Sequence, residues 1–189
     1  MKPHLLVPLF VVLLTLALIP ACHKPDPEPS NYVQPTNPYH TLPEITQEGK
    51  NTFGCLMNGV VWVPRVELFV PWYTLDFQFN TVNNTGNGNI TCRVLTTTQD
   101  DFLQVTFGPT NNKPGTFNVK PSNNTSMYLL SMSKDYVPLL KDSMFNRVKV
   151  NFIDTDYKIV SGKFQFKLYN NANPKDTISV TDGRFDLHY

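Results

Sequence analysis

From residue 49 onward, apolar and polar side chains alternate in short runs, the period of half-buried strands. Residues 52–63 hold two apolar runs around Asn58-Gly59, a pair that tolerates positive φ at both turn positions and predicts a tight hairpin. Leu75, Phe77 and Phe79 alternate with Asp76, Gln78 and Asn80; residues 83–89, with Gly86 and Gly88, then read as a turn. Ile90, Cys92 and Val94 form the next apolar face, followed by Leu103, Val105 and Phe107. Residues 111–115 close that strand with Asn, Pro and Gly. An apolar stretch at 127–132 precedes residues 133–144, the one segment where a short helix fits, with Pro138 limiting its start. Val148, Val150 and Phe152 resume the alternation. Phe164, Phe166 and Leu168 repeat it against Lys163, Gln165 and Lys167, and Ile178 and Val180 lead through Thr181-Asp182-Gly183 to Phe185 and Leu187. The pattern predicts an all-β domain, an antiparallel sandwich or partly closed barrel of nine or ten strands with at most one short helix.

The N-terminus has a different pattern. Lys2 and His4 precede an almost wholly apolar run, 5–18, and Ile19-Pro20-Ala21-Cys22 follows. That run of about 14 residues is too short to span a bilayer as a helix, which takes about 20, and reads as the apolar core of a signal peptide. A small residue directly before a cysteine is what lipoprotein signal peptidase requires, so residues 1–21 read as a lipoprotein signal and Cys22 as the acylated residue. A plain secretory signal cut near Ala21 is the alternative. Residues 22–48 carry Pro25, Pro27, Pro29, Pro35, Pro38 and Pro43 among polar residues and read as an extended, stiff tether. The β domain then occupies residues 49–189. His23, where an Asp would signal inner-membrane retention, favours the outer membrane, on its periplasmic or surface-exposed side.

Charge narrows the classes of partner. Sixteen basic and 15 acidic residues nearly cancel, which argues against nucleic acid, whose binding runs on clustered Lys and Arg. Charged residues make up only 16% of the chain, as expected of strands joined by polar turns.

The stretch from Gly49 to Gly59 ahead of Trp62, with Val160-Ser161-Gly162-Lys163-Phe164-Gln165-Phe166 and Thr181-Asp182-Gly183-Arg184-Phe185-Asp186, resembles the uncharacterised cell-envelope lipoprotein domains of Bacteroidota. The likeness lies at the two ends of residues 49–189. It implies a β domain on a lipid anchor and carries no catalytic residues over. It also gives meaning to Asp142-Ser143-Met144 and Asp176-Thr177-Ile178, which match the Asp-Ser/Thr-apolar form of that group's O-glycosylation site at Ser143 and Thr177.

Candidate chemistry is sparse. His40 and His188 are the only histidines beyond the signal and its flank, so no metal-ligand spacing and no Ser/His/Asp set is visible, and no metal or cofactor is expected. Asp100-Asp101 and Asp154-Thr155-Asp156 read as solvated turn residues. Cys55 and Cys92 are the two thiols left once Cys22 is acylated; an exported compartment permits a bridge between them, and two free buried thiols acting as small apolar fillers fit equally. Phe69, Trp72 and Tyr73, around Pro71, offer aromatic planes for a sugar ring or a protein partner, or else cap one end of the core. The expected role is a non-catalytic binding or assembly module, tied to the membrane through Cys22, with an envelope protein or glycan as partner. The rivals are a small apolar ligand carrier and a glycan-acting enzyme using two of Asp76, Asp100, Asp101, Asp154 and Asp156.

Overall fold

A computed structural model describes residues 40–67, 74–82, 85–120 and 124–189. Cys22, Phe69, Trp72 and Tyr73, with the signal peptide and most of the tether, lie outside the described residues. Residues 36–189 form one compact unit. Its described residues are all-β: β1 Thr52–Met57, β2 Val60–Trp62, β3 Arg65–Val66, β4 Leu75–Val82, β5 Thr85–Leu95, β6 Asp100–Phe107, β7 Gly115–Asn118, β8 Ser126–Ser131, β9 Lys134–Pro138, β10 Arg147–Asp154, β11 Ile159–Asn170 and β12 Thr177–His188. The segment where a helix fits holds β9 and a single 3-10 turn, Leu140–Asp142.

The strands form one sheet whose hydrogen-bonded path runs β2-β1-β12-β11-β9-β8-β6-β5-β3; β4 also pairs with β5, β10 with β11, and β7 with β10. Every pairing is antiparallel except β3 with β5. Laid flat, nine strands would set the outermost two roughly 38 Å apart. Yet β2 and β3, the two ends of the path, are joined by only Val63 and Pro64, a link that reaches at most about 11 Å. The sheet therefore curls into an open half-barrel, and the partly closed barrel, not the two-sheet sandwich, is the form adopted. Trp62 stitches this seam from β2: its Nε1 donates to Oδ2 of Asp101 on β6 at 3.1 Å.

The interior is filled ring against ring. Phe107 lies 6.5 Å from Phe79, 6.4 Å from Phe117 and 5.7 Å from Phe185. Phe53 stacks on Phe164 at 5.0 Å and meets Trp62 edge-on. These rings explain the largest departure from the sequence pattern. Gly86 and Gly88 belong to β5, which pairs with β4 from Leu75↔Cys92 to Val82↔Thr85. A Cβ at Gly86 would overlap the ring of Phe79, and one at Gly88 the ring of Phe107. Glycine here makes room for an aromatic and does not turn the chain.

Thr181-Asp182-Gly183 likewise is no turn. β12 runs through it with Asp182 at φ 49, and the registers of β12 with β1 and with β11 both shift there. The extra residue of this bulge moves the inward set from Val180 to Gly183, Phe185 and Leu187. The Asn58-Gly59 hairpin forms as expected, with φ of 50 and 82.

Residues 41–50, which the sequence assigns mostly to the tether, are strapped onto the domain. Asp186, on the outer face of β12 and 1% exposed, accepts hydrogen bonds from the Thr46 hydroxyl and from the backbone N–H groups of Glu48, Gly49 and Lys50. Arg184 reaches the carbonyl of Pro43 at 3.4 Å, and Gly54 leaves space for Pro43 and Leu42 to cross β1. Burial opposes charge on Asp186, but these four donors outweigh it and hold its carboxyl below the usual carboxylate range. A pKa lower folded than unfolded contributes stability above the unfolded value, about 3.9, which is lost as pH falls through both. Asp186→Asn is expected to flatten the acid limb of stability below about pH 4 and to speed amide exchange at residues 46–50. Urea unfolding across pH and hydrogen exchange check this; an unchanged acid limb would show that the strap is held by other contacts.

Candidate functional site

One end of the outward face of β4, β5, β6 and β8 carries amides and hydroxyls, while the other end carries Asp76, Phe102, Leu130 and the Arg93–Asp100 ion pair. Register places Gln78 beside Asn89, Asn89 beside Thr106 and Thr106 beside Ser126, with Asn80 beside Asn87 one row along. Asn124, just before β8, completes a concavity of about 400 Å³. Asn is disfavoured in strand interiors, so three of them at neighbouring outward positions of β4 and β5 is a costly choice for a face that only needs wetting. Gln104 donates from Nε2 to Oδ1 of Asn89 at 2.9 Å and so fixes that amide, leaving its two N–H donors to offer. The side-chain amides of Asn80 and Asn87 make no hydrogen bond with a described residue. No titratable side chain lines the concavity among the described residues. Such a lining pairs donors and acceptors with a neutral, polar ligand, and supplies no acid, base or nucleophile.

Two further hollows flank the Val63-Pro64 link. One, of about 460 Å³, lies between the strap at Leu42 and Pro43 and the side chains of Phe53, Val63 and Leu75. The other, of about 330 Å³, is lined by His40, Trp62, Arg65, Gln99 and Asp101. Asp101 there is not the turn residue its sequence context suggests. It shares parity with Leu103, Val105 and Phe107, points inward and is 4% exposed, and its Oδ2 takes hydrogen bonds from Trp62 and from Nε2 of Gln99. Its Oδ1 is buried with no partner among the described residues. Asp100, on the opposite face, is held by the guanidinium of Arg93 at 2.9 Å.

Of the remaining candidate carboxylates, Asp156 is exposed and the other two are engaged separately. Asp154 caps its own turn by accepting the N–H groups of Asp156 and Tyr157, and Asp76 accepts from Gln78. Among the described residues, no three of His, Cys, Asp and Glu stand close enough to hold a metal ion. His188 sits exposed at the end of β12. The acids of both Asp-Ser/Thr-apolar motifs serve the fold: Asp142 accepts the Tyr169 hydroxyl at 2.6 Å, and Asp176 accepts from Asn170, Tyr136 and Lys134, which lower its pKa. Ser143 and Thr177 are half-buried.

The sequence left two roles open for Cys55 and Cys92, and the structure has both thiols free, without a bridge, inside the apolar core. Burial pushes the Cys55 thiol well above its ordinary value and does the same to Cys92, helped there by the nearness of Cys55. Neither is poised as a thiolate. Both are expected to resist a water-soluble thiol reagent at pH 8 in the native protein. On unfolding without reductant both should react; a count of no reactive thiols would mean that the pair is oxidised.

Comparison of the chain with protein-family models, with curated proteins and with solved structures finds no match. The reading of this site therefore stands on its geometry alone.

Proposed function

We propose that this chain is a non-catalytic binding or assembly module of the cell envelope, anchored to the outer membrane by acyl chains on Cys22. The observation that carries the binding role is the amide-lined concavity on β4, β5, β6 and β8, where neutral donors and acceptors converge without a titratable group. Vicinal hydroxyls of a neutral glycan, each both donor and acceptor, are the chemistry that Asn and Gln amides match most directly. The rival readings find less support. A carrier needs inward aromatics lining a void, whereas Phe107, Phe79, Phe185 and Phe53 meet one another. A two-carboxylate hydrolase needs a converging pair, whereas Asp76, Asp100, Asp101 and Asp154 are engaged separately and Asp156 is exposed in the turn that Asp154 caps.

Two experiments address the two halves of the proposal. Cys22→Ser is expected to abolish the acylated species seen by mass spectrometry and by metabolic labelling with palmitate; unchanged mass and labelling would sink the anchor. In affinity gels containing neutral polysaccharides, the chain is expected to be retarded, and Asn87→Leu with Asn89→Leu to remove at least about tenfold of that affinity, as loss of about 1.4 kcal/mol would. Retardation that survives the double substitution would move the ligand elsewhere.

A further inference from the structure

The outward faces of β10, β11 and β12 break a rule of sheet pairing. Lys149 on β10 stands directly across from Lys163 on β11, and Lys163 directly across from Arg184 on β12. Arg147, two residues before Lys149 on the same face of β10, adds a fourth cation. Like charges opposite one another in a sheet are destabilising, and three in a row on adjacent strands need a counter-charge. The protein provides little: Arg147, Lys149 and Lys163 make no ion pair with a described residue. Among the described residues Arg184 bonds to carbonyl oxygens, those of Pro43 and Asp182. Asp182, exposed at the bulge, is the one carboxylate beside the hollow of about 180 Å³ that Arg147, Lys149 and Lys163 border. In a chain whose charges nearly cancel overall, this face is set apart.

We propose that the Lys149–Lys163–Arg184 row, with Arg147, binds the phosphates of anionic lipid headgroups and so fixes which side of the domain faces the membrane. The choice of a membrane as occupant rests on the lipid-anchor reading and on charge complementarity, four cations standing together with Asp182 beside them. A long Pro-rich tether restrains distance but not orientation, and a basic face supplies the second, electrostatic contact.

The test uses the chain from His23 onward, made without signal or acyl group, which keeps the compact unit of residues 36–189 whole. It is expected to sediment with vesicles containing phosphatidylglycerol and not with pure phosphatidylcholine, and to be released by high salt. Lys149→Gln with Lys163→Gln is expected to weaken that partition roughly twentyfold. Lys163→Gln alone, relieved of repulsion, is expected to raise the melting temperature of the lipid-free chain by about 1–3 °C. A lowered melting temperature would mean that Lys163 is held by the protein itself and would overturn the proposal. So would equal partition to both vesicles, or partition unchanged in the double variant. Pyrophosphate that stabilises the chain against heat while anionic vesicles fail to bind it would point to a soluble phosphorylated ligand and equally overturn the membrane assignment. Failure of the anchor itself would appear separately, as an unacylated Cys22 in cells.

Discussion

Two residues, Val63 and Pro64, constrain the whole sheet. They carry the chain from β2, at one end of the hydrogen-bonded path, to β3 at the other, and no flat or gently twisted sheet of nine strands can satisfy so short a link. Curling follows from connectivity, before any side chain is considered. Trp62 and Asp101 then hold the seam from within: the indole N–H would be orphaned without a buried acceptor, and the carboxylate would be orphaned without the indole and Gln99.

A curled sheet has a tapering interior, and this chain fills it with aromatic rings laid against glycines. Phe79 occupies the space above Gly86, Phe107 that above Gly88, and Phe164 that beside Gly183. Each pairing substitutes a large flat side chain for the Cβ it displaces, which keeps packing dense where strands bend closest together. The same economy of space at Gly54 lets the strap cross the outside of β1, where Asp186 secures it through four hydrogen bonds. The end of the tether is thus a structural part of the domain.

With the interior packed, the exposed chemistry lies on the outer faces, and they differ in kind. One end of the face of β4, β5, β6 and β8 presents amides and hydroxyls around a concavity, while that of β10, β11 and β12 presents a row of cations. An ordinary solvated sheet face intersperses charges of both signs.

Strand identity was legible in residues such as Phe164, Phe166 and Leu168, because a period of two with a strong apolar contrast leaves little choice of face. The Asn58-Gly59 hairpin was legible for the same local reason. Asp101 was legible in principle, since its parity with Leu103 and Val105 marks it as inward, but an aspartate pair invites a turn reading unless a buried donor such as Trp62 is known to wait for it. Gly86, Gly88 and Asp182-Gly183 were misread because a glycine that yields to a distant ring and a glycine that turns the chain look alike in one dimension. The amide concavity and the cation row could not be read at all: each joins side chains from several strands, and neighbours across strands depend on register. What the sequence by itself determined is the all-β character and the inward and outward sets of the regular strand stretches, though not across the bulges of β10 and β12, where Phe152 faces away from Val148 and Val150. Only tertiary structure decided the curl, the seam, the strap on Asp186 and which outward residues became neighbours, because these depend on long-range pairing that local periodicity does not encode.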